Sequence, residues 1–161
     1  MITIRPRWMH KLPSNTFCIQ SIREALHRVV AQEIRSTINV PSHTNSAMDG
    51  YAIRSSDIPV NATKQLKLIG TAWAGRPFKG SINKNECVRI MTGAAMPANT
   101  DTVVMQEHVQ VKDNLVTIDS KQQANQNVRQ AGEDIAEGDL VFTQGKFLHP
   151  ADIGLIASLG I

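Results

Sequence analysis

From Ser21 onward the apolar residues Ile22, Ala25, Leu26, Val29, Val30 and Ile34 recur at helical spacing and predict an amphipathic helix with one buried stripe. Ser21 serves as N-cap, and Glu24 three residues later completes a capping box. After Ile34 the period shortens to two. Ile34, Ser36, Ile38 and Val40 alternate with Arg35, Thr37 and Asn39, the pattern of a strand that stops at Pro41. Tyr51 to Ile53, Lys64 to Thr71, Glu86 to Met91 and Asp101 to Met105 read as further strands, with Gly75-Arg-Pro-Phe-Lys-Gly80 and Thr92-Gly93 as punctuation. Val109 to Ile118 is a hairpin. A two-residue Asp113-Asn114 loop sets Lys112 opposite Leu115, Val111 opposite Val116 and Val109 opposite Ile118, so turn length and face pattern agree on one register.

Beyond a Gln/Asn-rich link come Val128-Arg129, a turn at Gly132-Glu133-Asp134, and short strands at Leu140 to Phe142 and Lys146 to Leu148. A second helix closes the chain, with Pro150 in its first turn, Asp152 at its positive end and Gly160 as its stop. Residues 1–20 show no period and carry Pro6 and Pro13, which predicts an extended or poorly ordered arm. The fold class is therefore mainly β with a helix near each end. No strand–helix rhythm appears, which argues against a doubly wound parallel sheet.

Composition narrows the picture only in places. At 161 residues the chain suits one medium domain or two small ones. No apolar run approaches a bilayer span, and the start lacks the apolar middle of a signal peptide, so a cytoplasmic chain without membrane contact is expected. Cys18 and Cys87 form neither a disulfide framework nor a metal motif. The net charge of +3 is mild, and its cluster (Arg5, Arg7, His10, Lys11) reads as a solvated tail. With aromatics at 4%, the basic stripe and stacking platform of a nucleic-acid binder are missing.

Three spots carry candidate chemistry, each a polar residue beside glycine at the end of an apolar run: Asp49 before Gly50, Thr92 before Gly93, and Asp134 after Gly132. Each taken alone is an ordinary turn, and Asp49-Gly50 reads as a positive-φ one. Converging at one end of a β-domain, two carboxylates and a hydroxyl would make a hard-oxygen site suited to Mg²⁺. Arg54, Arg89 and Arg129, close by in sequence, could neutralise phosphate oxygens, or simply serve solubility and ion pairing. His43, His108 and His149 lack metal-ligand spacing. No Walker or Rossmann loop and no nucleophile elbow is present. Trp73 and Phe78 flank a glycine turn and are expected to fill core.

Several of these residues fall in blocks that resemble a known family. Asn45-Ser-Ala-Met-Asp-Gly-Tyr-Ala52, Arg89-Ile-Met-Thr-Gly-Ala94 with Met96-Pro97, Asp101-Thr-Val-Val-Met-Gln-Glu107, Val128-Arg129 with Gly132-Glu-Asp-Ile135, and Ile156-Ala-Ser-Leu-Gly-Ile161 are similar, in order and spacing, to the molybdopterin molybdenumtransferase family of MoeA and the gephyrin E-domain. The resemblance runs from about Ser21 to Ile161 and leaves residues 1–20 an unmatched arm. It implies a first, discontinuous domain made of residues 21–45 and 139–161, with a β-domain of residues 46–138 inserted. It implies an enzyme that inserts molybdate into adenylylated molybdopterin with Mg²⁺. It also implies a homodimer whose active site lies between a β-rich domain of one subunit and a pterin-binding α/β domain of the other. By motif, Asp49, Thr92 and Asp134 fall at catalytic positions and Arg129 at a substrate-binding one.

The chain departs from the family pattern in several respects. The family's N-terminal helix is not recognisable here, and its small C-terminal β-domain has no counterpart in this sequence. Pro41-Ser-His-Thr stands where the family has Pro-x-Phe-Asp. The chain stops at Ile161, where the resemblance places the start of the pterin-binding domain, so this chain alone is expected to be inactive. Three readings stay open: the N-terminal portion of a molybdenum cofactor biosynthesis enzyme, a non-catalytic interaction module derived from that family, and a small phosphate- or oxyanion-binding protein.

Overall fold

The structure, a computed structural model, describes residues 2–5 and 18–161. In chain order the strands are β1 (Ile2–Arg5), β2 (Cys18–Gln20), β3 (Val29–Val30), β4 (Ile34–Arg35), β5 (Asn45–Ser46), β6 (Gly50–Ile53) and β7 (Thr63–Ala72). They continue with β8 (Glu86–Ile90), β9 (Thr102–Met105), β10 (Gln110–Lys112), β11 (Leu115–Asp119), β12 (Val128–Arg129) and β13 (Leu140–Phe142), and the helix α1 (Pro150–Ser158) follows. The chain folds as two compact units, residues 1–42 with 132–161, and residues 43–131. The mainly-β class follows from the alternation.

The helix expected from Ser21 does not form. The Ser21 hydroxyl does accept the Arg23 N–H, at 3.4 Å, but what it caps is a single 3₁₀ turn, Ile22–Glu24. His27 then takes φ 60°, a left-handed conformation that a right-handed helix cannot contain. Strand pairing decides the rest: Val30 lies opposite Ile4 of β1, and β4 pairs with β13. Half of the apolar stripe is buried all the same, while Leu26 is exposed. Ala25, Val30 and Ile34 pack with Ile2, Ile4, Leu148 and Ile156 in the core of the first unit.

Most of the expected arm (residues 6–17, with Pro6, Arg7, His10, Lys11 and Pro13) lies outside the described residues. Its two ends are strands, β1 and β2, paired antiparallel with Ile4 opposite Cys18. Of the predicted strand at Lys146 to Leu148, the structure forms one bridge, Phe147 to Val29. The helix α1 forms as expected. Asp152 accepts the His149 N–H at 2.8 Å and pairs with Lys146 at 3.3 Å, and Gly160 follows the helix at φ 72°.

The second unit is built on a six-stranded sheet in the order β10-β11-β7-β8-β6-β9. Only β7 and β8 run parallel among its pairs. Both faces carry core, though β10 and β11 contribute to at most one. Tyr51, Ile53, Leu66, Cys87, Val104, Val116 and Ile118 fill one side, and Ala52, Ala72, Ile82, Val88, Ile90, Ala94 and Val103 the other. The hairpin has the predicted register, Val111 opposite Val116 and Lys112 opposite Leu115. Asp113 and Asn114 both take positive φ, 48° and 62°, as a two-residue turn of this hand requires. Phe78 joins the second core as expected, its ring lying against Gly70 and Gly80. Trp73 does not. It sits past the end of β7 in a tight turn closed by its pairing with Arg76, and its surface is 49% exposed.

Candidate functional site

The Asp49-Gly50 step is not the positive-φ turn that its sequence predicts. Gly50 is the first residue of β6, held between Ile90 of β8 and Met105 of β9. Its missing side chain is needed for a different reason: a Cβ there would overlap the Val104 carbonyl oxygen and lie 2.9 Å from its carbon. Glycine therefore allows β9 to approach, and Asp49 is carried to the end of the sheet immediately before the strand begins. The Thr92-Gly93 step is a left-handed turn, with Gly93 at φ 78°. The Gly93 N–H donates to Ser46 O at 2.8 Å, which fixes the turn against β5.

These two steps bring Asp49 and Thr92 into contact across 43 residues of chain. The Asp49 Oδ1 accepts the Thr92 backbone N–H at 2.8 Å and the Thr92 hydroxyl at 2.7 Å. The Asp49 carbonyl accepts the Gln106 N–H at 3.1 Å, tying the corner to the end of β9. Arg89 on β8 donates from Nη2 to Gln106 Oε1 at 3.3 Å. The Thr92 amide and then the Thr92 hydroxyl hold the Asp49 carboxyl below its ordinary range against the opposing desolvation, with a lesser contribution from the nearby Arg89 charge. Asp49 is thus a half-buried carboxylate whose charged form is favoured, with one oxygen engaged.

Arg129 lies in the same unit, on β12 opposite Asn45 of β5, and Asn45 bridges in turn to Ala95. Its half-buried position is two backbone pairings from the segment that follows Thr92-Gly93. Asp134 belongs to the other unit. There its N–H donates to Val40 O at 2.9 Å, while Gly132 takes φ 74° and donates to Pro41 O at 2.9 Å. A Cβ on Gly132 would meet Asn39 Oδ1 at 2.9 Å, so glycine is required there on two counts. The structure therefore joins Asp49 with Thr92 and adds Arg89 and Gln106. Gln106 lies within the Asp101–Glu107 block of the family resemblance but has no role assigned there, because its place in the corner depends on where β9 ends.

Among the described residues no group of three His, Cys, Asp or Glu side chains could hold a metal ion. The Asp49–Thr92 corner offers one carboxylate oxygen beyond the two bonds from Thr92. That fits a hard cation taking its remaining ligands from phosphate oxygens and water, and not one caged by this chain. Among the described residues, no helix is long and apolar enough to cross a membrane.

The strand-built units, one interrupting the other in sequence, define a class of architecture shared with solved molybdopterin biosynthesis MoeA proteins. Two structures of the Pyrococcus horikoshii protein match with TM-scores of 0.82 and 0.83 at 30% and 32% identity, covering 88% of this chain and 38% and 37% of theirs. A molybdopterin molybdenumtransferase of Haemophilus influenzae is 44% identical over 159 residues, 98% of this chain and 39% of that protein. Gephyrin of Dictyostelium discoideum is 35% identical over 156 residues, covering 87% of this chain and 21% of its own length.

The chain belongs to the family described as the MoeA N-terminal region (domain I and II), whose model matches residues 7–160. It spans well under half the length of these relatives. The matched segment begins at residue 7, so most of the arm expected to fall outside the resemblance shares in it.

Proposed function

We propose that this chain forms one wall of a composite active site that inserts molybdate into adenylylated molybdopterin. The observation that carries the reading is the Asp49–Thr92 pair. Two donors hold one carboxylate oxygen and leave the second unengaged at the sheet end, in a chain of this family. Asp49 would present a fixed negative charge to the substrate. Thr92, with both donors on Oδ1, would set the direction in which Oδ2 points. Arg129 would contact substrate from the neighbouring strand, and Asp134 would be a further carboxylate of the catalytic set. A Mg²⁺ bound with the substrate would neutralise phosphate oxygens, and Asp49 Oδ2 is the atom of this corner free to join it.

The remaining wall would come from a pterin-binding domain, in the homodimeric arrangement that the family resemblance implies, in the cytoplasm. Holding two reactants in register supplies much of such catalysis, so this chain by itself is expected to make no cofactor. The test is molybdate insertion in an assembly supplied with the intact pterin-binding half of a relative. Wild-type chain should support synthesis, and Asp49→Asn should abolish it with folding unchanged. Full activity of Asp49→Asn would show that Asp49 is only a structural corner.

A further inference from the structure

The register of β7 on β8 places Thr71 opposite Arg89 and Ala72 opposite Ile90. Ala72 and Ile90 enter one core, so Thr71 and Arg89 share the opposite face, and Trp73 follows directly after the end of β7. The turn that carries Trp73 also adjoins the Thr92-Gly93 turn: Met91 N–H donates to Ala72 O at 3.2 Å, and the Ala74 Cβ lies 4.0 Å from where a Gly93 Cβ would stand. The indole is half exposed in a protein whose aromatic content is 4%.

Arg89 is underused. A guanidinium has five N–H donors, and among the described residues its side chain donates only to Gln106, at 3.3 Å. It makes no ion pair with Asp49, whose Oδ1 is taken by Thr92. Gln106 engages one edge of the half-buried guanidinium, and among the described residues no other partner takes its remaining donors.

We propose that Trp73 and Arg89 form a recognition rim beside the Asp49–Thr92 pair for a phosphate ester that carries a planar ring. The ring lies against the indole and the phosphate oxygens take the free Arg89 donors. An indole offers a sequence-tolerant stacking face, and a guanidinium matches two phosphate oxygens at once. The inference rests on the reading of this corner as one wall of an active site.

The chain holds two tryptophans, Trp8 and Trp73, so Trp8→Phe isolates the signal. Adenosine 5′-monophosphate, used as a ring-bearing phosphate, should quench Trp73 fluorescence saturably, whereas inorganic phosphate should not. Arg89→Gln should weaken the monophosphate roughly tenfold or more and leave adenosine unaffected, while Arg89→Lys should recover part of the loss. No saturable quenching, or equal weakening of adenosine and its monophosphate by Arg89→Gln, overturns the inference. If Trp73 is silent while Asp49→Asn still abolishes cofactor synthesis, the rim falls and the active-site reading stands. If Asp49→Asn is itself without effect, both fall.

Discussion

Replacing Gly50 by alanine tests whether this glycine is needed for close approach or for a left-handed turn. The added Cβ would overlap the Val104 carbonyl oxygen and lie 2.9 Å from its carbon and 3.1 Å from the Met105 Cα. All three atoms are backbone of β9, so no side chain can swing aside. The overlap can be relieved only by parting β6 from β9, which are paired from Gly50–Met105 to Ile53–Thr102. Overpacking of this kind costs about 3 kcal/mol at its upper end, and one or two weakened ladder bonds add about 1 kcal/mol each. A loss of about 4 kcal/mol is a large share of the ~5–15 kcal/mol that typically holds a folded protein.

With a urea dependence near 2 kcal/mol per molar, the unfolding midpoint should fall by about 2 M. Urea titration followed by far-UV circular dichroism reads this directly. Asparagine suits left-handed positions, so it separates the two explanations: Gly50→Asn should be at least as damaging as alanine. At Gly75, by contrast, φ is 75° and nothing lies within 4 Å of where a Cβ would stand, so Gly75→Asn should cost little. A Gly50→Ala protein within about 1 kcal/mol of wild type would refute the close-approach argument, because overpacking against fixed backbone cannot be that mild.

Thr92→Val removes one of the two donors to Asp49 and should raise the Asp49 pKa towards its ordinary value of 3.8, with Thr92→Ser restoring it, as read by carboxyl ¹³C chemical shifts against pH. Since the folded pKa of Asp49 is depressed, its stabilising effect is present above its unfolded value and fades as pH falls through the lower folded one. The acid limb of the stability profile should therefore shallow in Asp49→Asn. Lys64→Met strips the ion pair at 2.7 Å from Asp57, which is 1% exposed and, among the described residues, otherwise accepts only the Asn85 N–H. Discounted for the partly exposed lysine, the cost should be about 2–3 kcal/mol in chemical denaturation, and a change below about 0.5 kcal/mol would remove the buried carboxylate from the list of structural anchors. Burial pushes the Cys87 thiol up to about 12, so its alkylation should follow unfolding while Cys18 reacts with the folded protein; prompt labelling of Cys87 would contradict its burial.

The hairpin and the closing helix were legible because their signals are local. Asp113-Asn114 sets both turn length and hand, and Pro150, Asp152 and Gly160 mark helix ends within a dozen residues. The stretch from Ile22 to Ile34 misleads for the opposite reason. Its apolar spacing fits a helix, but β1 and β13 offer strand partners from distant parts of the chain, and Ala25, Val30 and Ile34 reach the core through that pairing while Leu26 stays exposed. The Asp49–Thr92 contact lies between these cases. Sequence offered both residues as glycine-flanked polar ends, yet equally offered them as plain turns.

By itself, then, the sequence determined a strand-rich class, the turn chemistry at 113–114 and a family likeness carried by residues such as Asn45 to Ala52. Only the tertiary structure decided that Gly50 serves close strand approach, that Trp73 stands exposed, and that Gln106 reaches both Asp49 and Arg89. The physical reason is range: a dihedral preference acts within a few residues, whereas steric exclusion and hydrogen bonding act between whichever residues the sheet order makes neighbours.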